Sequence, residues 1–250
     1  MQVVVDGLLT NYVRQGKGRV VVILHGWGDN SLSWLGLTKD LANNFDVVVP
    51  DLPGFGGSQS PASNWGLTDY GSFVSTFLKK IKIREVYCLI GHSNGGAIAI
   101  RGISDNLIVA KKLILLSSAG IRGEYKGRVK ALRYVVKAGK LLTTPLPESA
   151  KSKLRSRAYK TIGSDMLVAE HLQGTFKKVV SDDVRADAEK INLPTLLIYG
   201  EGDQQTPLRY GEIFHELIDH SSFEILPDAG HFLQLDRPTA LKSAVEGFLR

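Results

Sequence analysis

Gly91-His92-Ser93-Asn94-Gly95-Gly96 sets a serine between glycines two positions to either side. The apolar run Val86-Tyr87-Cys88-Leu89-Ile90 leads into it, and the helix-forming stretch Ala97-Ile98-Ala99-Ile100-Arg101 leaves it. This is the pattern of a nucleophile elbow, a sharp strand-to-helix turn that forces the serine into strained backbone geometry and lifts its hydroxyl clear of a sheet. Chain packing at such a turn is tight enough that Gly91 and Gly95 are steric requirements. With 26 glycines in 250 residues a lone match is weak evidence, so the flanking sequence has to carry the reading.

Outward from the elbow, short apolar runs alternate with longer amphipathic stretches, the signature of βα units building a mainly parallel sheet. The runs are Val20–Leu24, Val47–Val49, Val86–Ile90, Leu113–Leu116 and Thr195–Tyr199, and Met1–Gly7 reads as an edge strand entering a turn. Strands apolar on both faces must be covered on both. Connecting helices are expected near Ser31–Asn43, Thr68–Ile81, Asn94–Ser104, Pro207–Ile218 and Arg237–Leu249. In the last, Ala240, Leu241, Ala244, Val245 and Phe248 fall on one helical face. The rhythm breaks after Gly120 and resumes near Ile191, with several helices interrupted at Pro145-Leu146-Pro147. The expected organisation is one core built from residues 1–120 and 191–250, carrying a helical cap inserted at 121–190.

A 27.3 kDa chain of this length fits one large α/β domain and buries roughly 70% of the surface its unfolded form exposes. Hydrophobic residues at 43%, charged residues at 22% and a mean hydropathy of -0.03 are ordinary for a water-soluble protein. The start has no basic segment followed by an apolar run, and no apolar stretch nears the roughly 18 residues that span a bilayer, so a cytoplasmic location is expected. Cys88, the single cysteine, lies in the strand before the elbow and reads as a core residue. The six histidines share no ligand spacing, so no metal is expected. Gly54-Phe55-Gly56-Gly57 lacks the Lys-Ser/Thr ending of a phosphate-binding loop and reads as a turn. Net charge is +6, yet residues 121–160 alone carry twelve Lys or Arg against Glu124 and Glu148. The basicity therefore belongs to the cap.

A serine hydroxyl needs a base to take its proton as it attacks. His231, in Pro227-Asp228-Ala229-Gly230-His231-Phe232, follows the strand-like Ser222–Leu226, so it falls on the same sheet edge as Ser93. A catalytic imidazole also needs an acceptor for its other N–H. Asp203 follows the run ending in Tyr199-Gly200-Glu201-Gly202 and meets that need, with Glu201 its local rival. The oxyanion formed on attack requires preorganised donors. The backbone N–H of Asn94, at the start of the helix, and that of Trp27, in His25-Gly26-Trp27-Gly28 after the Val20–Leu24 run, are the candidates.

These segments, with Asp51-Leu52-Pro53-Gly54-Phe55-Gly56-Gly57-Ser58, Gly200-Glu201-Gly202-Asp203 followed by Thr206-Pro207, and Ala229-Gly230-His231-Phe232 followed by Asp236-Arg237-Pro238, together resemble the α/β-hydrolase superfamily. The match is to its capped esterase and C–C hydrolase branch, in order and over nearly the whole chain. The resemblance implies an α/β fold with an eight-stranded, mostly parallel sheet flanked by helices and a cap inserted after strand 6. It also implies that His25 and Gly26 support the oxyanion loop, while His92, His171, His215 and His220 read as surface or packing residues, with His171 in the cap able to face substrate. Trp27, Trp34 and Trp65 read as core or pocket wall. One departure stands at Asn94, where relatives commonly carry methionine or another apolar residue.

Ser93 sets the chain apart from relatives that use a carboxylate nucleophile. The expectation is a serine hydrolase acting on small-molecule carboxylic esters through an acyl-enzyme, with Ser93, His231 and Asp203 as the triad, and with no cofactor or metal. Alternatives are a thioesterase or carrier-protein ester hydrolase reading an anionic handle through the basic cap, a C–C bond hydrolase, or a non-catalytic small-ligand receptor on the same fold. Arg and Lys clusters suit a phosphate-bearing carrier or an anionic membrane surface. Nucleic acid is not an expected partner, because no aromatic residues interleave the charges.

Overall fold

A computed structural model describes residues 1–122 and 170–250. Eight strands form one sheet: β1 (Gln2–Val5), β2 (Leu8–Gln15), β3 (Arg19–Leu24), β4 (Phe45–Pro50), β5 (Val86–His92), β6 (Ala110–Leu116), β7 (Thr195–Gly200) and β8 (Ser221–Leu226). Their spatial order is β1-β2-β4-β3-β5-β6-β7-β8. The pairs β1·β2 and β2·β4 are antiparallel, and every pair from β4 to β8 is parallel. This is the mostly parallel sheet the sequence implies. The turn between β1 and β2 is made by Asp6 and Gly7, both at positive φ (47° and 81°), the geometry a two-residue hairpin demands.

Alternation along the strands sorts the core into two layers. Val22, Leu24, Val48, Leu89, Leu113, Leu115, Leu197 and Tyr199 face one way. They meet Tyr70, Phe73 and Phe77 of α2 (Leu67–Lys80), Ile98 of α3 (Asn94–Ser104), and Phe214, which belongs to a helix introduced below. Val21, Ile23, Val47, Val49, Cys88, Ile90, Ile114, Leu116, Leu196 and Ile198 face the other, against Leu37 and Leu41 of α1 (Leu35–Leu41) and Leu241, Val245 and Leu249 near the C-terminus. Burial raises the Cys88 thiol far above its ordinary range, as befits a core residue.

After β6 the described chain resumes with a 3-10 turn (Glu170–Leu172), α4 (Gln173–Ser181) and α5 (Arg185–Ala188) before β7. Arg101 of α3 reaches Asp187 at 2.9 Å and Asp182 at 3.3 Å, tying this return segment to the core. The cap expected at 121–190 lies for its greater part, with all of its basic run except Arg122, outside the described residues. Beyond β7 come α6 (Leu208–Leu217), which carries Phe214, then the one-turn α7 (Leu233–Asp236) and α8 (Pro238–Leu249), begun by a proline at its first position. The single helix expected at Ser31–Asn43 is instead a 3-10 turn (Ser31–Trp34) followed by α1. Asn30 caps this entry, its side chain accepting the Leu32 N–H at 2.9 Å. Among the described residues no helix is long and apolar enough to cross a membrane.

The strand order fixes where a ligand binds. From β3 the chain passes to β4 on one side, and from β4 it crosses to β5 on the other side of β3. The crevice outside the carboxyl ends of β3 and β5 is thus the switch point of the sheet, where open α/β sheets take their ligands. Leu24, the last residue of β3, pairs with Gly91 of β5, so the loops leaving both strands emerge side by side.

Candidate active site

Ser93 leaves β5 at that switch point with φ 51° and ψ -118°, a backbone conformation that a non-glycine residue adopts only under constraint. The constraint is visible in its neighbours. A Cβ on Gly91 would stand 2.6 Å from the Gly95 carbonyl oxygen, and one on Gly96 would stand 2.2 Å from Ser118 Oγ. Ser93 N–H donates to the Leu116 carbonyl at 3.0 Å, and the Ser93 carbonyl accepts from Gly96 and Ala119, both at 3.0 Å. Backbone bonds therefore hold the serine in place and leave its hydroxyl without a partner among the described residues. Ser93 lines a cavity of about 140 Å³ together with Gly26, Trp27, Gly28, Asp29, His92, Gln205, His231 and Phe232.

Asp203 and His231 come to the same place from the ends of β7 and β8. Asp203 Oδ2 lies 2.9 Å from His231 Nδ1, and its Oδ1 accepts the N–H groups of Gln205 (2.8 Å) and Thr206 (3.0 Å). The Thr206 hydroxyl sits 2.7 Å from Asp203 Oδ2, 2.9 Å from the Ser117 carbonyl and 3.1 Å from His231 Nδ1. Burial alone would raise the Asp203 carboxyl. The bond to His231, the charge on that ring and the Thr206 contacts outweigh it and hold the carboxyl down to about 2. An ionised Asp203 fixes the proton of His231 on Nδ1 and leaves Nε2 as the free base. Glu201, the sequence rival, is exposed, and its backbone N–H is bonded to Leu226.

Trp27 and Asn94, the expected oxyanion donors, lie on the two segments that leave β3 and β5. Trp27 follows β3, and Asn94 is the first residue of α3 directly after Ser93. Neither backbone N–H donates to a described residue. Gly26 lets the two loops approach, because a Cβ there would lie 3.1 Å from the Ser93 Cβ. His25 is fully buried beneath the loop; its Nδ1–H donates to the Gly26 carbonyl at 2.8 Å and its Nε2 accepts the Leu52 N–H at 2.9 Å. Burial lowers its pKa, and both bonds are those of a neutral ring. Asp51 secures the neighbouring turn. It accepts the Ser31 N–H at 2.7 Å and the Gly57 N–H at 2.8 Å, and a Cβ on Gly56, at φ 53°, would meet its carboxylate.

Two placements differ from the sequence reading. His92 is no ordinary packing residue: 1% exposed, it lies against His231, its Nε2 2.9 Å from the His231 carbonyl and the two ring centres 4.9 Å apart. Its partner lies 139 positions along the chain, and no local signal marks it. Thr206 stood in a recognised segment with no role attached, yet its hydroxyl lies between Asp203, Ser117 and His231. His171 bonds the Gly54 carbonyl at 3.1 Å and is absent from the cavity wall, as are Trp34 and Trp65. The Asn94 side chain is 4% exposed, and neither of its amide atoms has a partner among the described residues. No group of three or more His, Cys, Asp or Glu able to hold a metal occurs among the described residues.

Comparison with known proteins places the chain in a family. The model of the Alpha/beta hydrolase family matches residues 21–244. The 2-hydroxy-6-oxo-6-(2'-aminophenyl)hexa-2,4-dienoic acid hydrolase of Metapseudomonas resinovorans is 26% identical, the match covering 97% of this chain and 88% of the relative. The pimeloyl-[acyl-carrier protein] methyl ester esterase of Salmonella newport is 24% identical, over 92% of this chain and 94% of the relative. Among solved structures, a bacterial membrane phospholipase A superposes with a TM-score of 0.79 at 25% identity, covering all of this chain and 84% of the other. These relatives are hydrolases, and the chain belongs to the alpha/beta hydrolase family.

Proposed function

We propose that the protein is a serine hydrolase cleaving small-molecule carboxylic esters through an acyl-enzyme. The observation that carries this reading is the 2.9 Å Asp203–His231 pair, whose His231 lines the same cavity as a strained Ser93. Ser93 Oγ attacks the ester carbonyl as His231 Nε2 takes its proton. The carbonyl oxygen becomes an oxyanion held by the N–H groups of Trp27 and Asn94. The C–O bond then breaks, His231 returns the proton to the departing alkoxide, and the acyl group stays on Ser93. Water then attacks the acyl carbon as His231 takes its proton, the bond from that carbon to Ser93 Oγ breaks to release the acid, and His231 returns the proton to Oγ.

A second reading shares the triad and changes the scissile bond. The aminophenyl hexadienoic acid hydrolase relative favours C–C cleavage, and the acyl-carrier-protein ester relative favours an anionic carrier held by the basic residues of 121–160. Membrane attachment through the same residues is the weaker variant. Initial rates on aryl esters, thioesters and a vinylogous diketone at low and high salt separate these. Ester turnover indifferent to salt and abolished by Ser93→Ala supports the first reading. A KM rising steeply with ionic strength points to the carrier, because exposed charge contacts are screened beyond about 10 Å at 0.1 M salt. Ester activity that survives Ser93→Ala overturns the assignment.

A further inference from the structure

We propose that His92 is a positioning residue for the hydrolytic reaction: its Nε2–H bond to the His231 carbonyl sets where the His231 ring stands relative to Ser93. The inference rests on the serine hydrolase reading above. His92 is the last residue of β5, with its backbone paired to Leu116 of β6, so its ring hangs from a central strand of the sheet. His231 sits on a loop. Among the described residues, the 2.9 Å contact from His92 is the one hydrogen bond to the backbone of residue 231. Asp203 fixes the far side of the His231 ring through Nδ1, and His92 fixes the backbone from which that ring projects. Two mounts on opposite sides define the position of the free Nε2.

The tautomer follows from the acceptor. A carbonyl only accepts, so the proton of a neutral His92 is on Nε2 and its Nδ1 carries a lone pair. That Nδ1 has no partner among the described residues, and it faces the oxyanion loop: a Cβ on Gly26 would lie 3.0 Å from it. Trp34 packs on the ring at 5.5 Å and Phe232 at 5.8 Å between centres. One imidazole thereby touches the loop that carries Trp27, adjoins Ser93 and anchors the loop that carries His231. Protonation would bury an unpaired N–H and a charge beside His231; burial and that neighbour together bring its pKa to about 4. The ring stays neutral over the working range of a histidine base. A misplacement of about 1 Å in reacting groups costs as much as 10²-fold in rate, so a contact of this kind acts on kcat.

The test compares His92→Phe, which keeps a ring and loses the donor, with His92→Gln, whose amide N–H reaches toward the same carbonyl. Expected for His92→Phe is a kcat lowered about tenfold to a hundredfold, a KM within about threefold of the parent, and a shifted or broadened downfield signal from the His231 Nδ1 proton. His92→Gln should recover most of kcat and the signal. Wild-type kcat in His92→Phe overturns the proposal, as does equal impairment of both variants in proportion to lost stability. If His92→Phe fails to fold, imidazole 15N shifts of the unaltered protein decide: a proton on Nδ1 of His92 overturns it and one on Nε2 supports it. Failure of the hydrolase reading is distinguishable, because it shows as ester turnover that is absent or independent of Ser93 in the parent protein.

Discussion

A Cβ on Gly95 would stand 2.2 Å from the carbonyl oxygen of Leu24, so the helix that begins after Ser93 rests directly on the last residue of β3. This contact brings the Trp27 loop and the Asn94 N–H to one point. A side chain at 95 would push helix and strand apart. Gly95→Ala is expected to destabilise the protein by about 2–3 kcal/mol, as overpacking of tight sites does, and to lower kcat in the fraction that folds. Gly247 is the control, since it is helical and a Cβ there meets nothing within 4 Å. Gly247→Ala should gain about 0.5–1 kcal/mol from helix propensity and unfolded-chain entropy. Urea unfolding of both variants checks the contrast, and a neutral Gly95→Ala would refute the steric account.

The parts of this molecule that could be read from sequence are those whose determinants are local. The runs at Val20–Leu24 and Val86–Ile90 declare buried parallel strands because both faces are apolar; Ser93 and Asp203 each follow such a run, while His231 follows the alternating, half-exposed Ser221–Leu226. The elbow was readable because the Gly-x-Ser-x-Gly spacing is itself local: Gly91 is dictated by Gly95 and Gly96 one helical turn away, although Gly95 answers to Leu24 and His25 on the neighbouring strand. His92 was not, for its hydrogen-bond partner lies 139 positions along the chain and nothing adjacent distinguishes it from a filler between Gly91 and Ser93. Thr206 was hidden for a related reason: its hydroxyl acquires a role only when the ends of β6, β7 and β8 are brought together. The split at Ser31–Trp34 is not legible either, because a capping residue such as Asn30 marks where a helix begins and not whether its first turn is 3-10 or α.

Asn94 buries a polar amide that finds no described partner, where an apolar side chain of the same branching would satisfy the site better. Buried unsatisfied polar groups cost about 1–3 kcal/mol, and an apolar replacement of like shape removes the penalty. Asn94→Leu is expected to raise unfolding stability by about 1 kcal/mol in urea titrations while leaving the backbone N–H available to the oxyanion. Its kcat on a short aryl ester should stay within about threefold of the parent. A large loss of stability would show instead that the amide has a partner in the folded protein.

Acid should weaken the fold in a defined window. The folded pKa of His92 lies below its ordinary 6.5, at about 4, and that of His25 is lowered too. Between those values the unfolded chain binds protons that the folded chain excludes, so stability contributed by neutral burial is complete above pH 6.5 and lost as pH falls toward 4. Asp203 adds a lower window: its folded carboxyl, at about 2 against an ordinary 3.8, contributes stability present above 3.8 and lost on the way down to 2. Urea midpoints at pH 7.5, 5.5 and 4.5 should fall in sequence, and His92→Phe should flatten part of the slope. A midpoint constant from pH 7.5 to 4.5 would mean that neither histidine is buried neutral.

Asp203→Asn tests the pair on which the chemistry turns. The substituted side chain keeps its size and can keep accepting the Gln205 and Thr206 N–H groups through Oδ1. What changes is the atom facing His231 Nδ1, where an N–H replaces a carboxylate oxygen. Two donors cannot face each other at 2.9 Å, so the imidazole moves its proton to Nε2 and presents a donor to Ser93 where a base is needed. In a serine hydrolase with an otherwise intact site, this wrong tautomer lowers kcat by roughly 10⁴-fold. KM should change little, because Asp203 does not line the cavity. Steady-state kinetics on an aryl ester at neutral pH, with circular dichroism to verify folding, decides the matter; a folded variant retaining a tenth of the parent kcat would remove Asp203 from the triad.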